Sequence, residues 1–151
     1  MNPERTVKRA ALLWAAAVGA GVAEAVLAVG TAVAAGTAGP ALVPQIALHV
    51  GAYAVAGVLI VFFARGRNWA RIALTVLLTG VGLATLVVPA GQALAGGAGL
   101  VEALGGALGA PFAVLRAVHI GCVVAASVLM YTPAANKVFA QRTLTEVGGA
   151  A

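Results

Sequence analysis

Glu24, His49, Arg116 and His119 are ionisable side chains set inside long apolar stretches, and they fall in three different stretches. A carboxylate, a guanidinium and two imidazoles together can form an ion pair, relay a proton or hold a polar ligand. Within hydrocarbon each such group costs about 2.5–3.5 kcal/mol to insert. Four of them are therefore expected to meet rather than lie scattered. Spacing supports a meeting: Arg116 and His119 are three residues apart and share a helix face, while Gln45, His49 and Tyr53 form an i, i+4, i+8 stripe.

The elements that carry these residues are membrane spans. The 151-residue chain is 62% hydrophobic and 9% charged, with a mean hydropathy of +1.05. A soluble domain carries roughly a quarter charged residues. The apolar segments run over about 10–30, 43–64, 72–89 and 112–131. Each suffices, at about 1.5 Å per residue, to cross about 30 Å of hydrocarbon as a helix. The predicted fold is an all-α membrane protein, four transmembrane helices in an up-down-up-down bundle forming one domain over 10–131. A basic segment, 1–9, precedes it and a tail, 132–151, follows.

Charge sets the orientation. Arg5, Lys8, Arg9, Arg65, Arg67, Arg71, Lys137 and Arg142 all fall on one side, and the loops 31–42 and 90–111 contain no Lys or Arg. The positive-inside rule makes that side cytoplasmic, with both termini there, in a multi-pass protein of the plasma (inner) membrane. The net charge of +5 then reads as orientation and anionic-lipid contact, not nucleic-acid binding. Trp14, Trp69 and Tyr131 sit near the cytoplasmic ends, where interfacial aromatics belong. Ala32-Val33-Ala34 resembles a signal-peptide cleavage site. The preceding run exceeds a signal core and carries Glu24, so it reads as a retained span.

Depth along each helix brings the ionisable groups to one layer. Glu24 and His49 both lie about 9 Å from the outer ends of their helices, Arg116 about 6 Å and His119 about 10 Å. Thr85 falls in the same layer. The simplest arrangement pairs Glu24 with Arg116 and lets His49 or His119 complete the hydrogen bonds. Ala17, Gly21 and Ala25 on the first helix, and Ala52 and Ala56 on the second, permit close approach. The ionisable residues have three readings: a structural network that pins helix register, a proton, ion or ligand site facing an external vestibule, or no shared layer, with Arg116 snorkelling to the outer headgroups and Glu24 standing apart.

Other features are less directive. Arg65, Arg67, Trp69 and Arg71 form a basic hairpin with an aromatic anchor, a contact for anionic lipid or a partner protein. Gly80 and Gly82 mark a kink or a close helix contact. The Gly-rich 90–111 segment reads as a flexible loop, with an interfacial helix as the alternative. Over 133–142 the tail suits a short surface helix with Val138 and Phe139 turned inward, and the last residues read as disordered. Ser127 stands alone in its span, Cys122 is the only cysteine, and Glu24 is the only buried acid. No nucleophile–base arrangement, paired carboxylates, metal-ligand spacing or cofactor motif is present, so a non-enzymatic protein without metal or cofactor is expected.

The string Gly66-Arg-Asn-Trp-Ala-Arg-Ile72, with the basic N-terminus and Pro133-Ala-Ala-Asn136, resembles a group of small four-span membrane proteins from high-GC actinobacteria. That group has no assigned activity, so the resemblance implies location and architecture. Glu24 in the first span is also similar in position to the membrane-embedded Glu of small multidrug resistance exporters. This chain departs from them in its intramembrane Arg and His, its long Gly-rich loop and its charge bias, and the exporter function is not carried over.

The leading expectation is an accessory or scaffold subunit, as a homo-oligomer or with a membrane partner. The alternatives are a small transporter or proton-coupled channel using Glu24, His49 and His119, and a sensor of pH or envelope stress.

Overall fold

The structure is a computed structural model that describes residues 2–148, with side chains over 2–140. Helix α1 spans Pro3–Ala34, α2 Leu42–Ala64 and α3 Asn68–Ala95, the last with a π-helical stretch at Thr75–Gly82. A short helix, α4 (Leu100–Gly105), and a 3-10 turn, Gly106–Leu108, lead into α5 (Gly109–Met130), and α6 covers Pro133–Gly148. Among the described residues four helical stretches are long and apolar enough to cross a membrane. The chain is an all-α integral membrane protein.

Local chemistry sets the ends of these helices. Pro3 opens α1 at a position that needs no N–H, and the Asn2 side chain caps it by accepting from the Glu4 amide at 3.1 Å. The first three long helices stop by one device. Gly36, Gly66 and Gly97 adopt φ of +68°, +78° and +90°. The following amide reaches back five residues in each case: Thr37 to the Ala32 carbonyl, Arg67 to Phe62 and Ala98 to Ala93. That double closure satisfies carbonyls that a helix end otherwise leaves bare.

Packing is uneven along the bundle. At the end that carries the basic residues, Trp14, Phe63, Leu74, Val123 and Met130 are fully or almost fully buried in one cluster. Helix α6 closes this end, contributing Ala135 and Phe139, with the Phe139 ring 5.6 Å from that of Phe63. The α1–α5 pair is the most extensive helix contact in the fold. Helix α2 packs against the first turns of α3 and has almost no close contact with α3 beyond them. The bundle is thus tight at the basic end and splayed at the other.

Several expectations change. Trp14 is not an interfacial anchor: it lies inside the buried cluster at that end and has no exposure. Phe139 does turn inward, but into protein rather than lipid. Ser127 is not alone: its hydroxyl meets that of Thr79 on α3 at 2.7 Å and donates to the Val123 carbonyl. Gly80 and Gly82 lie in the π-helical stretch, where each turn takes an extra residue. The disorder expected of the last residues falls, for 149–151, outside the described part.

The segment 90–111 is not a flexible loop. Helix α3 continues through Pro89 to Ala95, and α4 packs on α5. The glycines serve this order. At Gly105 a Cβ would stand 3.2 Å from the Ala113 Cβ, and Gly106 and Gly109 take φ of +53° and +73°. Glycine content marked close approach and left-handed backbone here, not mobility.

Candidate functional site

Helix α1 carries Glu24 inward from the splayed half, where its side chain keeps only 8% of its exposure. The two carboxylate oxygens have different partners. Oε2 accepts from Arg116 Nε at 3.2 Å, and Oε1 lies 2.9 Å from His119 Nδ1. Both partners come from α5, whose helical spacing places Arg116 and His119 on the face turned to α1. Phe112, one turn before Arg116, supports it from beneath: the guanidinium carbon lies 4.7 Å from the centre of that ring.

A glycine makes this approach geometrically available. Gly21 sits one turn before Glu24, and a Cβ on it would lie 3.0 Å from His119 Cε1 and 3.2 Å from Tyr53 Cε1. The two rings therefore rest on bare backbone. Tyr53, from α2, donates its hydroxyl to the Gly21 carbonyl at 2.7 Å. Gly21 thereby joins α1, α2 and α5. Gly21→Val is expected to push both rings away and destabilise the fold by about 1–3 kcal/mol, the usual cost of overpacking. Thermal unfolding in mild detergent checks this. The smaller Gly21→Ala is expected to fall between wild type and Gly21→Val.

Not every member of the predicted layer joins the ion pair. His49 Nδ1 stays on its own helix, 2.7 Å from the Gln45 carbonyl, and its ring lies 6.0 Å from that of Tyr53. The Gln45 side chain is exposed. Thr85 turns to the Gly82 carbonyl of its own helix at 2.7 Å. These three groups share a different feature with Glu24, Arg116 and His119: all line one cavity of about 590 Å³ between α1, α2, α3 and α5. That volume is in the range of small-molecule sites, roughly 300–1,000 Å³. Its remaining wall is apolar, with Leu48, Leu77, Leu78, Val81 and Leu86. A shallower, more open groove along Thr75, Thr79 and Thr85 is lined by α3 alone.

Tautomers follow from the partners. A backbone carbonyl only accepts, so His49 Nδ1 donates to it. The Glu24 carboxylate likewise accepts from His119 Nδ1. In the neutral ring each histidine then keeps a lone pair on Nε2, for which no partner exists among the described residues. Arg116 spends Nε on Glu24 and has no further hydrogen bond among the described residues, so its two terminal nitrogens remain as donors at the cavity wall.

The basic hairpin divides. Arg65, Arg67 and Trp69 are exposed, Trp69 with its ring 5.2 Å from Phe62. Arg71 does not join them at the surface and is only 7% exposed. Its guanidinium carbon lies 4.1 Å from the centre of the Tyr131 ring and 5.2 Å from that of Phe139. Helix α6 supplies Phe139 and covers a residue that positive-inside counting places in solvent. Helical phase explains the split: Arg71 lies one residue after the fully buried Ala70 and three before the fully buried Leu74, on the inner side of α3. Tyr131 also bonds the Thr75 hydroxyl at 2.6 Å, so it works as a packing residue as well as an end-of-span aromatic.

Sequence reasoning raised a vestibule as one reading of the layer but missed its apolar wall on α3 and the role of Tyr53 as a clamp on Gly21. The small-residue stripe at Gly21 was the available signal, but it did not say which side chains would occupy the space. Among the described residues no cluster of three or more His, Cys, Asp or Glu is placed to hold a metal ion. No known protein family, curated protein or solved structure matches this chain.

Proposed function

We propose that this chain is a non-enzymatic accessory subunit of the plasma membrane that binds an amphipathic small molecule in its intramembrane cavity. Both termini face the cytoplasm in this reading, as the clustering of basic residues implies. The exposed Arg65, Arg67 and Trp69 meet anionic lipid headgroups or a partner subunit.

One observation carries the ligand-binding role. Glu24, His49, Arg116 and His119 line an open cavity instead of being packed out of reach. A purely structural ion pair needs no such space, since cores close around their polar networks at crystal-like density. A small group of converging polar atoms in a mostly apolar cavity is the usual composition of a ligand site.

The proton-coupled alternative is less well served. Below the polar layer the bundle is plugged by Trp14, Phe63, Leu74 and Met130, none with more than trace exposure. A transported ion would have to pass this apolar plug, beside which the Thr79–Ser127 and Thr75–Tyr131 hydroxyls are already paired with each other.

The test is retention of a ligand. Purified protein in mild detergent is expected to gain thermal stability from a total membrane lipid extract, by mass action on the folded state. Ala52→Phe, which puts a ring into the cavity from α2 while keeping every charged residue, is expected to abolish the gain. If wild type and Ala52→Phe respond alike, or proteoliposomes carry a proton current above that of empty vesicles, the binding reading fails.

A further inference from the structure

The cavity's polar atoms specify more than a generic amphiphile, and their selectivity has meaning only if the cavity is the binding site proposed for it. Glu24 and Arg116 cancel in formal charge, and the two histidines add none in their neutral form. A ligand with a full charge would leave this layer unbalanced inside hydrocarbon, where an uncompensated charge is costly. A neutral polar head avoids that cost.

The free valences then say what the head must offer. Arg116 presents N–H donors that call for an oxygen acceptor. Nε2 of His49 and of His119 are acceptors that call for a donor. A single hydroxyl supplies both at one atom, and two hydroxyls across a ring supply them at two. Planar surfaces are at hand: Phe112 and Tyr53 both line the cavity, and Phe112 already stacks on a flat guanidinium.

The splay of the bundle gives the direction of entry. Helices α2 and α3 part beyond the first turns of α3, and the wall on that side is apolar, with Leu48, Leu77 and Val81. In a four-helix membrane protein that gap faces acyl chains, so an apolar tail can lie in it while the head reaches the polar layer.

We infer that the cavity binds a neutral hydroxyl-bearing ring lipid of the hydroquinone class, with one ring hydroxyl accepting from Arg116 and donating to His49 Nε2 and the tail leaving between α2 and α3. Binding alone is assigned.

The experiment compares partitioning of decylubiquinol, decylubiquinone, 1-dodecanol and dodecanoate between phosphatidylcholine nanodiscs with and without the full chain. Saturable excess binding of the quinol is expected, close to one per protein. His49→Phe keeps a ring but removes the Nε2 acceptor, and its loss leaves the ion pair intact. It is expected to weaken the quinol about tenfold and leave the quinone, which has no O–H to donate, within a factor of two. Ala52→Phe should remove both. Equal binding of 1-dodecanol overturns the ring, tighter binding of dodecanoate overturns the neutral head, and a quinol affinity indifferent to His49→Phe overturns the histidine contact. In each of those cases a saturable ligand lost in Ala52→Phe still supports the binding reading. If no probe saturates, both fall together.

Discussion

Replacing Glu24 with Leu is expected to be the most damaging single change in the polar layer. It should cost about 3–5 kcal/mol of stability, the range found when one partner of a buried ion pair is removed. The reason is that Glu24 serves two donors. Its loss leaves the Arg116 cation without an anion and the His119 Nδ1–H without an acceptor, both at membrane depth. Arg116→Leu should cost less. Glu24 keeps its 2.9 Å hydrogen bond from His119 Nδ1, so its carboxylate is not left without a donor. Arg116 is also the more exposed partner, at 23% against 8% for Glu24, so solvent and headgroups relieve part of the loss. The double variant, Glu24→Leu with Arg116→Leu, removes both charges and should recover much of what Glu24→Leu loses, because no charge is then left alone. Thermal unfolding of all three in mild detergent gives the cycle. Strict additivity would mean that the two side chains do not interact, and the polar layer would have lost its anchor.

The fold and the ion pair differ from the cavity in how plainly the chain reveals them. Apolar run length and the clustering of basic residues depend on composition over twenty residues, so the spans stand out whatever the details of packing. Depth along a helix is equally robust, because rise per residue is constant. Counting it inward from each helix end brings Glu24, Arg116 and His119 to one level. Which groups meet is a question of rotation, and there the count is silent. Rotation puts His119 on Glu24 and leaves His49 with the Gln45 carbonyl. The splay between α2 and α3 depends on where neither helix has a packing partner, and no local pattern encodes that. Arg71 and Trp14 were hidden for another reason. Each has the residue type of an interfacial anchor at an end-of-span position, yet Trp14 lies inside the buried cluster and α6 folds back over Arg71. A covering element joined at Thr132 is visible only in three dimensions. In 90–111 the same glycines that lower helix propensity by about 1 kcal/mol each supply the tight α4–α5 contact at Gly105 and the turns at Gly106 and Gly109.

Trp14→Ala is the second change expected to act strongly, and its counterpart Trp14→Phe should show why. Trp14 has no exposure and lies in the cluster with Phe63, Leu74 and Met130 that closes the basic end. Truncating it leaves a cavity the size of an indole amid side chains held by four helices, which have little freedom to collapse into it. A loss of about 3 kcal/mol is expected, at the lower end for a buried tryptophan. In a bilayer much of the transfer term is missing, because the alternative to the core is lipid, and lost packing dominates. Trp14→Phe keeps most of the ring volume and removes the indole N–H, which is buried without an acceptor among the described residues. An unsatisfied buried donor carries its own penalty of about 1–3 kcal/mol. Its removal offsets the smaller packing loss, so Trp14→Phe should unfold within a few degrees of wild type. Both variants leave the splayed half untouched, so ligand-dependent stabilisation should persist in Trp14→Phe at its wild-type size. A Trp14→Phe variant as unstable as Trp14→Ala would show that the N–H has a partner, and that this end of the bundle is held by a polar contact as well as by packing.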